Sequence, residues 1–356
     1  MPGALRAPIP PIPPIPPIPP FYAIIILMIN RRDKNGHLKS GIRLPGWDYC
    51  QPWIYMITLT VKKRRPILGE IAGGKMNLSP LGAKVAEAWR NLNSIFPEVE
   101  PCQCAIMPEH FHGIIWVHKR LKSPLGEVIR SFKIACTKAN ASLETPALFD
   151  GSPAFWFPGL YDTILFSKGQ LKRMTAYIRQ NAERRWAVMQ NPELFKVTRS
   201  IALPNGKRCD AVGNHFLLDA TDKMLIQISR RASESEIAAI VERAIIHGER
   251  GGVVVSGCIS PGEQAVAKAV RETSLPLIAI IPRGFGPYFK PSGDYFTACA
   301  DGKLLMLSPF KPITKAERLT RERCFAINAL AAEICGNDPA AIRYRGTTPQ
   351  DLARPF

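Results

Sequence analysis

Residues 105–117 read AIMPEHFHGIIWV, an apolar run interrupted by two histidines. Successive side chains of a strand point to opposite faces, so His110 and His112 share one side while Phe111 turns into the core. Two imidazoles on one side of a strand can serve one metal ion, and the same spacing equally describes two partly exposed strand histidines. The surrounding chain builds a frame for that strand. WIYMITLTV (53–61) is β-branched and aromatic, a strand. SPLGAKVAEAWRNLNSIF (79–96) opens on Ser-Pro and spaces its apolar residues near 3.6, a helix. CQCAIMP and FHGIIWVH make a strand or strand pair, and SPLGEVIRSFKIACTKANASL (123–143) is a second amphipathic helix. SKGQLKRMTAYIRQNAERRWAVM (167–189) is a third, with Ser167 as its expected N-cap. This order predicts a compact α+β domain over 40–190.

The third helix supplies partners for the histidines. Tyr177 and Asn181 stand at i and i+4, on one helix face. Asn181 can bring a carbonyl oxygen to a hard cation, and Tyr177 a phenolic oxygen one turn away. Imidazole with oxygen donors suits Mg²⁺ or Mn²⁺ with positions left open for substrate. On spacing alone the plainer reading prevails, a boundary tyrosine and a surface asparagine. Tyr161 is a rival nucleophile; Tyr177 is favoured because it alone has an amide four residues on.

The chain has 356 residues, 46% of them hydrophobic, and a formal net charge of +18. Residues 1–190 carry +13 of that excess. A balance of this kind favours anionic partners, nucleic acid before anionic membrane. The basic residues run in three groups: Lys62, Lys63, Arg64 and Arg65; His118, Lys119, Arg120 and Lys122; Arg130, Lys133 and Lys138. They bracket the histidine strand, which makes phosphate contact the better reading than a merely solvated face. Trp156 and Phe157 offer rings for unpaired bases. Nine scattered cysteines suggest reduced thiols in a cytosol, and with a DNA partner the expected location is cytoplasmic and nucleoid-associated. Cys102 and Cys104 lack the second pair that a zinc site needs. FYAIIILMIN (21–30) falls short of a bilayer span of ~30 Å, so no membrane segment is expected. PIPPIPPIPPIPP (8–20) predicts polyproline II within a disordered extension over 1–39.

YMITLTVKKRRPILGEI, IMPEHFHGIIWV, SFKIACTKAN and YDTILFSKGQLKRMTAYIRQNAERRW, in this order, resemble the REP-associated tyrosine transposases, single-tyrosine HUH nucleases. The likeness covers about 40–190. It implies an HUH domain built on an antiparallel sheet with helices. It implies His110, His112 and Asn181 as metal ligands, Tyr177 as nucleophile, and single-stranded or hairpin DNA as substrate. The implied reaction is nicking and strand joining through a 5′-phosphotyrosine. Three positions depart from the family pattern: Glu109 where asparagine is common, Thr163 where histidine is common, and Ala182 where proline is usual.

Beyond a linker expected at 191–221, strands and helices alternate over 222–336: KMLIQIS, SESEIAAIVERAIIHG, GGVVVSG, PGEQAVAKAVRET, LPLIAIIP, KLLMLSPF and a helix from about Thr314 to Cys335. Continuous apolar strands between helices predict a doubly wound parallel, Rossmann-like sheet, with a tail over 337–356. VVVSGCISPGEQAVAKAV places Ser256 and Gly257 before a helix N-terminus, a candidate phosphate site without a P-loop or a full GxGxxG. With LPLIAIIPRGFGPYF and RERCFAINALAAEIC, this half faintly resembles the Rossmann-like domain of DNA processing protein A. That likeness implies single-stranded DNA binding, with Ser256, Gly257 and Arg283 at the ligand-facing strand ends and Arg321 and Arg323 before a helix. Two other classes stay open: a catalytically silent hairpin-binding protein, and a nucleotide-binding enzyme centred on the second half.

Overall fold

The structure, a computed structural model, describes residues 44, 46–203, 206–287, 289–312 and 319–337. The expected extension over 1–39 and nearly all of the tail lie outside the described residues. The chain divides into two compact units, one ending at Trp186 and the other beginning at Ala187.

In the first unit β1 (Trp53–Thr60), β4 (Val99–Met107), β5 (His110–Val117) and β6 (Tyr161–Ile164) form an antiparallel sheet in the order β4-β5-β1-β6. A hairpin of β2 (Gly69–Ala72) and β3 (Lys75–Leu78) stands apart. The predicted helix over 79–96 is α1 (Pro80–Arg90), capped by Ser79, followed by the short α2 (Leu92–Ile95). The next helix, α3, runs Leu125–Ala141. Tyr55, Ile57, Leu59, Phe111, Ile115 and Val117 point to one face of the sheet and join Val85, Trp89, Ile129 and Phe132 of α1 and α3 in the main core. Trp89 packs edge-on against Phe111 and Phe132, with centroids 4.9 and 5.4 Å apart. Gly113 makes that packing possible, because a Cβ there would fall 2.6 Å from the Trp89 ring.

The third predicted helix is two. α4 (Gln170–Arg179) and α5 (Asn181–Gln190) meet at Gln180, which leaves helical geometry at φ −88°, ψ 1°. Gly169, in the left-handed region at φ 77°, precedes α4 where Ser167 was expected as cap. Leu171, Met174 and Ile178 of α4 cover Met56 and Ile114 on the other face of the sheet.

The second unit holds a six-stranded sheet, β7-β8-β12-β11-β10-β9. β9 (Lys223–Ile226), β10 (Val253–Ser256), β11 (Leu277–Ile280) and β12 (Leu304–Ser308) are parallel. β8 (Arg208–Gly213) and the edge strand β7 (Thr198–Ala202) run antiparallel. The sheet is therefore mixed, not wholly parallel, and the segment expected as a linker supplies two of its strands. Helices α6 (Glu234–Glu249), α7 (Pro261–Glu272) and α8 (Asp294–Ala300) pack on one face, and α9 (Arg321–Ile334) on the other. Among the described residues no helix is long and apolar enough to cross a membrane.

Candidate active site

The site grows from the register of the antiparallel sheet. Thr58 of β1 lies opposite His112 on one side and Tyr161 on the other, and Thr60 lies opposite His110. Residues paired across antiparallel strands project to one face. That face carries His110 and His112, whose ring centroids are 4.8 Å apart. It is the face that α4 covers, and the apolar seam under Ile178 brings Tyr177 with it. The Tyr177 ring lies 5.7 Å from the His112 ring, centroid to centroid. Tyr177 is 39% exposed, whereas His112 and Asn181 are 9% and 8% exposed. Four residues past Asn181, Arg185 reaches Glu109 at 3.9 Å. Along this helical face Asn181 thus stands between one residue that touches His112 and another that touches the neighbour of His110.

The electrostatics follow from burial and from these partners. His112 Nδ1 shares a 2.8 Å hydrogen bond with the Thr58 hydroxyl, which fixes the ring and leaves Nε2 as the other nitrogen. Burial, reinforced by the nearby His110, pushes the His112 pKa down to about 3, so the ring is neutral at physiological pH. His110 Nδ1 lies 3.5 Å from Glu109 Oε1 and has no hydrogen-bond partner among the described residues. The His110 imidazole, with help from Arg185, holds the Glu109 carboxyl below its usual range. The Asn181 Nδ2 atom is buried without a hydrogen-bond partner among the described residues. Arg184 lies near enough to interact electrostatically with Tyr177, and burial lowers its own pKa.

Among the described residues no group of three or more histidine, cysteine, aspartate or glutamate side chains is placed to hold a metal ion. A donor set here therefore has to include the amide. His110, His112 and Asn181 offer donor types that Mg²⁺ or Mn²⁺ accepts, two imidazole nitrogens and the amide oxygen of a buried asparagine. Thr58, Arg184 and Arg185 escaped the sequence reading, and Glu109 was singled out only as a departure from the family pattern. The arginines had a signal, since 177, 181, 184 and 185 share a helical face; Thr58 is joined to His112 only by register.

The expected DNA contacts divide. Arg64 and Lys119 are exposed, and Lys62 is half-buried. Lys63 pairs with Asp150 at 3.1 Å, and Arg65 donates to the Leu148 carbonyl while lying over the Phe149 ring. Arg120 pairs with Asp48 and Arg130 with Glu127. Lys133 donates to the carbonyls of Phe157 and Gly159, so its ammonium secures a loop of its own unit. Trp156 is a correction: it is 5% exposed, packed against Phe155 in the main core, and unavailable to a base. Its neighbour Phe157 is 50% exposed. The expected phosphate site is corrected too. Ser256 is fully buried with its hydroxyl accepting from the Cys258 amide, and Gly257 is closely packed against Ile327.

No family model matches the chain. An uncharacterised protein of Haemophilus influenzae is 26% identical over 165 residues, spanning 41% of this chain and 88% of that protein. Among solved structures, a REP-associated tyrosine transposase bound to a REP hairpin is similar at TM-score 0.31 and 18% identity, over 41% of this chain and 74% of that one. DNA processing protein A from Helicobacter pylori, solved for its single-stranded DNA binding mode, is similar at TM-score 0.30 and 20% identity, over 39% of this chain and 65% of that one.

Proposed function

We propose that this chain is a DNA nicking and joining enzyme acting on single-stranded or hairpin DNA, with Tyr177 as nucleophile and His110, His112 and Asn181 holding Mg²⁺ or Mn²⁺. The observation that carries the reading is an exposed phenol, Tyr177, set 5.7 Å ring to ring from a buried, neutral histidine of a same-face pair. The region 40–190 carries the chemistry in this reading, and 222–336 is an accessory domain.

Tyr177 Oη attacks the phosphorus in line. The Oη–P bond forms as the P–O3′ bond breaks, and the departing 3′ oxygen receives the proton that the phenol gives up. The product remains a phosphodiester, so a second 3′-hydroxyl reverses the step and restores the phenol without nucleotide hydrolysis. A divalent ion, when bound, neutralises charge on a non-bridging phosphate oxygen. Thr58 keeps the His112 ring oriented, and Arg184 favours negative charge developing on the phenol. Tyr161 occupies the same cross-strand row but sits beyond Thr58, which makes it the weaker nucleophile candidate.

The test is a denaturing gel of purified protein with Mn²⁺ or Mg²⁺ and labelled hairpin DNA. A covalent adduct is expected in the wild type and in Tyr161→Phe. It should be absent in Tyr177→Phe, in His110→Ala and after chelation. Hairpin binding without an adduct under any of these conditions would replace the enzyme reading with that of a silent binder.

A further inference from the structure

The second unit contains a cavity of about 1110 Å³ that the chemistry at Tyr177 leaves unused. It opens at the carboxyl ends of β9 and β10, where open α/β sheets bind ligands. In such sheets a phosphate commonly sits on the amides at the following helix N-terminus. Here that place is taken. The Glu263 carboxylate accepts from the amides of Ile228, Ile259 and Ser260 at 3.2, 2.7 and 3.4 Å, and is 3% exposed. Burial pushes the Glu263 carboxyl above its usual range, and an anion brought to this end of the cavity would meet acceptor oxygens instead of free amides.

A second group at depth has the same polarity. Asn328 of α9 lines the cavity, and its Oδ1 is buried without a hydrogen-bond partner among the described residues. The cations stand at the mouth: Arg230 and Arg231 are exposed, and Arg321 extends over the Phe325 ring at 5.2 Å. Between the two ends the wall is apolar and aromatic, with Ile259 and Phe325. The lining therefore combines buried acceptors, an apolar and aromatic wall, and exposed cations. The complementary ligand has a donor head, a flat middle and an anionic tail.

We propose that this cavity binds a nucleoside monophosphate carrying an exocyclic amine, with its base inward and its phosphate at the arginines. The amine supplies the donors that Asn328 Oδ1 and Glu263 accept, and the base lies along Phe325. The volume slightly exceeds the usual small-molecule range of roughly 300–1,000 Å³, so one mononucleotide fits. This inference stands apart from the reading of Tyr177.

Calorimetry on the full chain tests it with AMP against IMP, CMP against UMP, adenosine, inorganic phosphate and oligothymidylate. Saturable binding of AMP or CMP is expected, weakened about tenfold in the partner nucleotide whose amine is replaced by a carbonyl. The double variant Arg230→Gln/Arg231→Gln should weaken AMP about tenfold while sparing adenosine. Asn328→Leu should narrow the difference between AMP and IMP, with circular dichroism showing that both variants fold. Equal binding of AMP and IMP, or no saturable nucleotide binding at millimolar concentration, would overturn the proposal. So would oligothymidylate binding that the arginine variant removes and AMP does not compete for, since the crevice would then follow a strand backbone.

Discussion

Thr58 joins two strands across 54 residues of sequence, and its hydroxyl is the hydrogen-bond partner of His112 Nδ1. Thr58→Val keeps the shape and removes that partner. Adduct formation should fall roughly 10- to 100-fold, with a higher divalent-ion requirement and an unchanged melting temperature. Gly113→Ala belongs to packing rather than chemistry. Its new Cβ would collide with the Trp89 ring, and urea titration should register a loss of about 1–3 kcal/mol. That His110 and His112 share one side of a strand, and that Tyr177 and Asn181 stand four apart on a helix, was readable as local periodicity; that Tyr177 comes beside His112 was not. Thr58 was illegible because only the register of β1 against β5 pairs it with His112. Trp156 was misread for a similar reason: its bridge to Val61 draws it into the core, which composition does not reveal.

At the scale of elements, the strands of the first sheet and most helices follow from periodicity, and their ends shift where local geometry intervenes. The continuous helix over 167–189 is divided at Gln180, so Tyr177 and Asn181 ride on separate segments. β7 and β8 were missed because β7 is a short edge strand with polar exposed residues and β8 opens on Arg208, a pattern close to that of a loop. Their pairing with β12 is a long-range event. The loop over 157–159 depends on one side chain, Lys133, which bridges two carbonyls from α3. Lys133→Met keeps the aliphatic stem and strips the donors. Stability should fall by about 2 kcal/mol, and limited proteolysis should cut near Gly159 faster than in wild type.

For the whole molecule, the distribution of charge matters more than its sum. Residues 1–190 hold +13 of the +18, yet several of those cations are engaged with carboxylates or carbonyls of the same unit. Arg64 and Lys119 remain exposed. If DNA lies along this unit, hairpin affinity falls linearly on a logarithmic salt axis. Arg64→Gln and Lys119→Gln should each reduce the slope by about 0.7, as expected for one lost phosphate contact on a single strand. Lys133→Met should leave the slope alone. Fluorescence anisotropy at four or five salt concentrations distinguishes these outcomes.

The alternation along β5 ties two kinds of inheritance together. His110 and His112 face the site, while Phe111 and Ile115 fill the core from the intervening positions. A slip of one residue would turn the imidazoles into the main core and the phenyl ring toward the face that α4 covers. A chain that pairs this strand out of register therefore disturbs the candidate site and the main core together. Variants that shift the register of this strand should therefore fail in packing as well as at the candidate site, whereas single substitutions that keep the register need not.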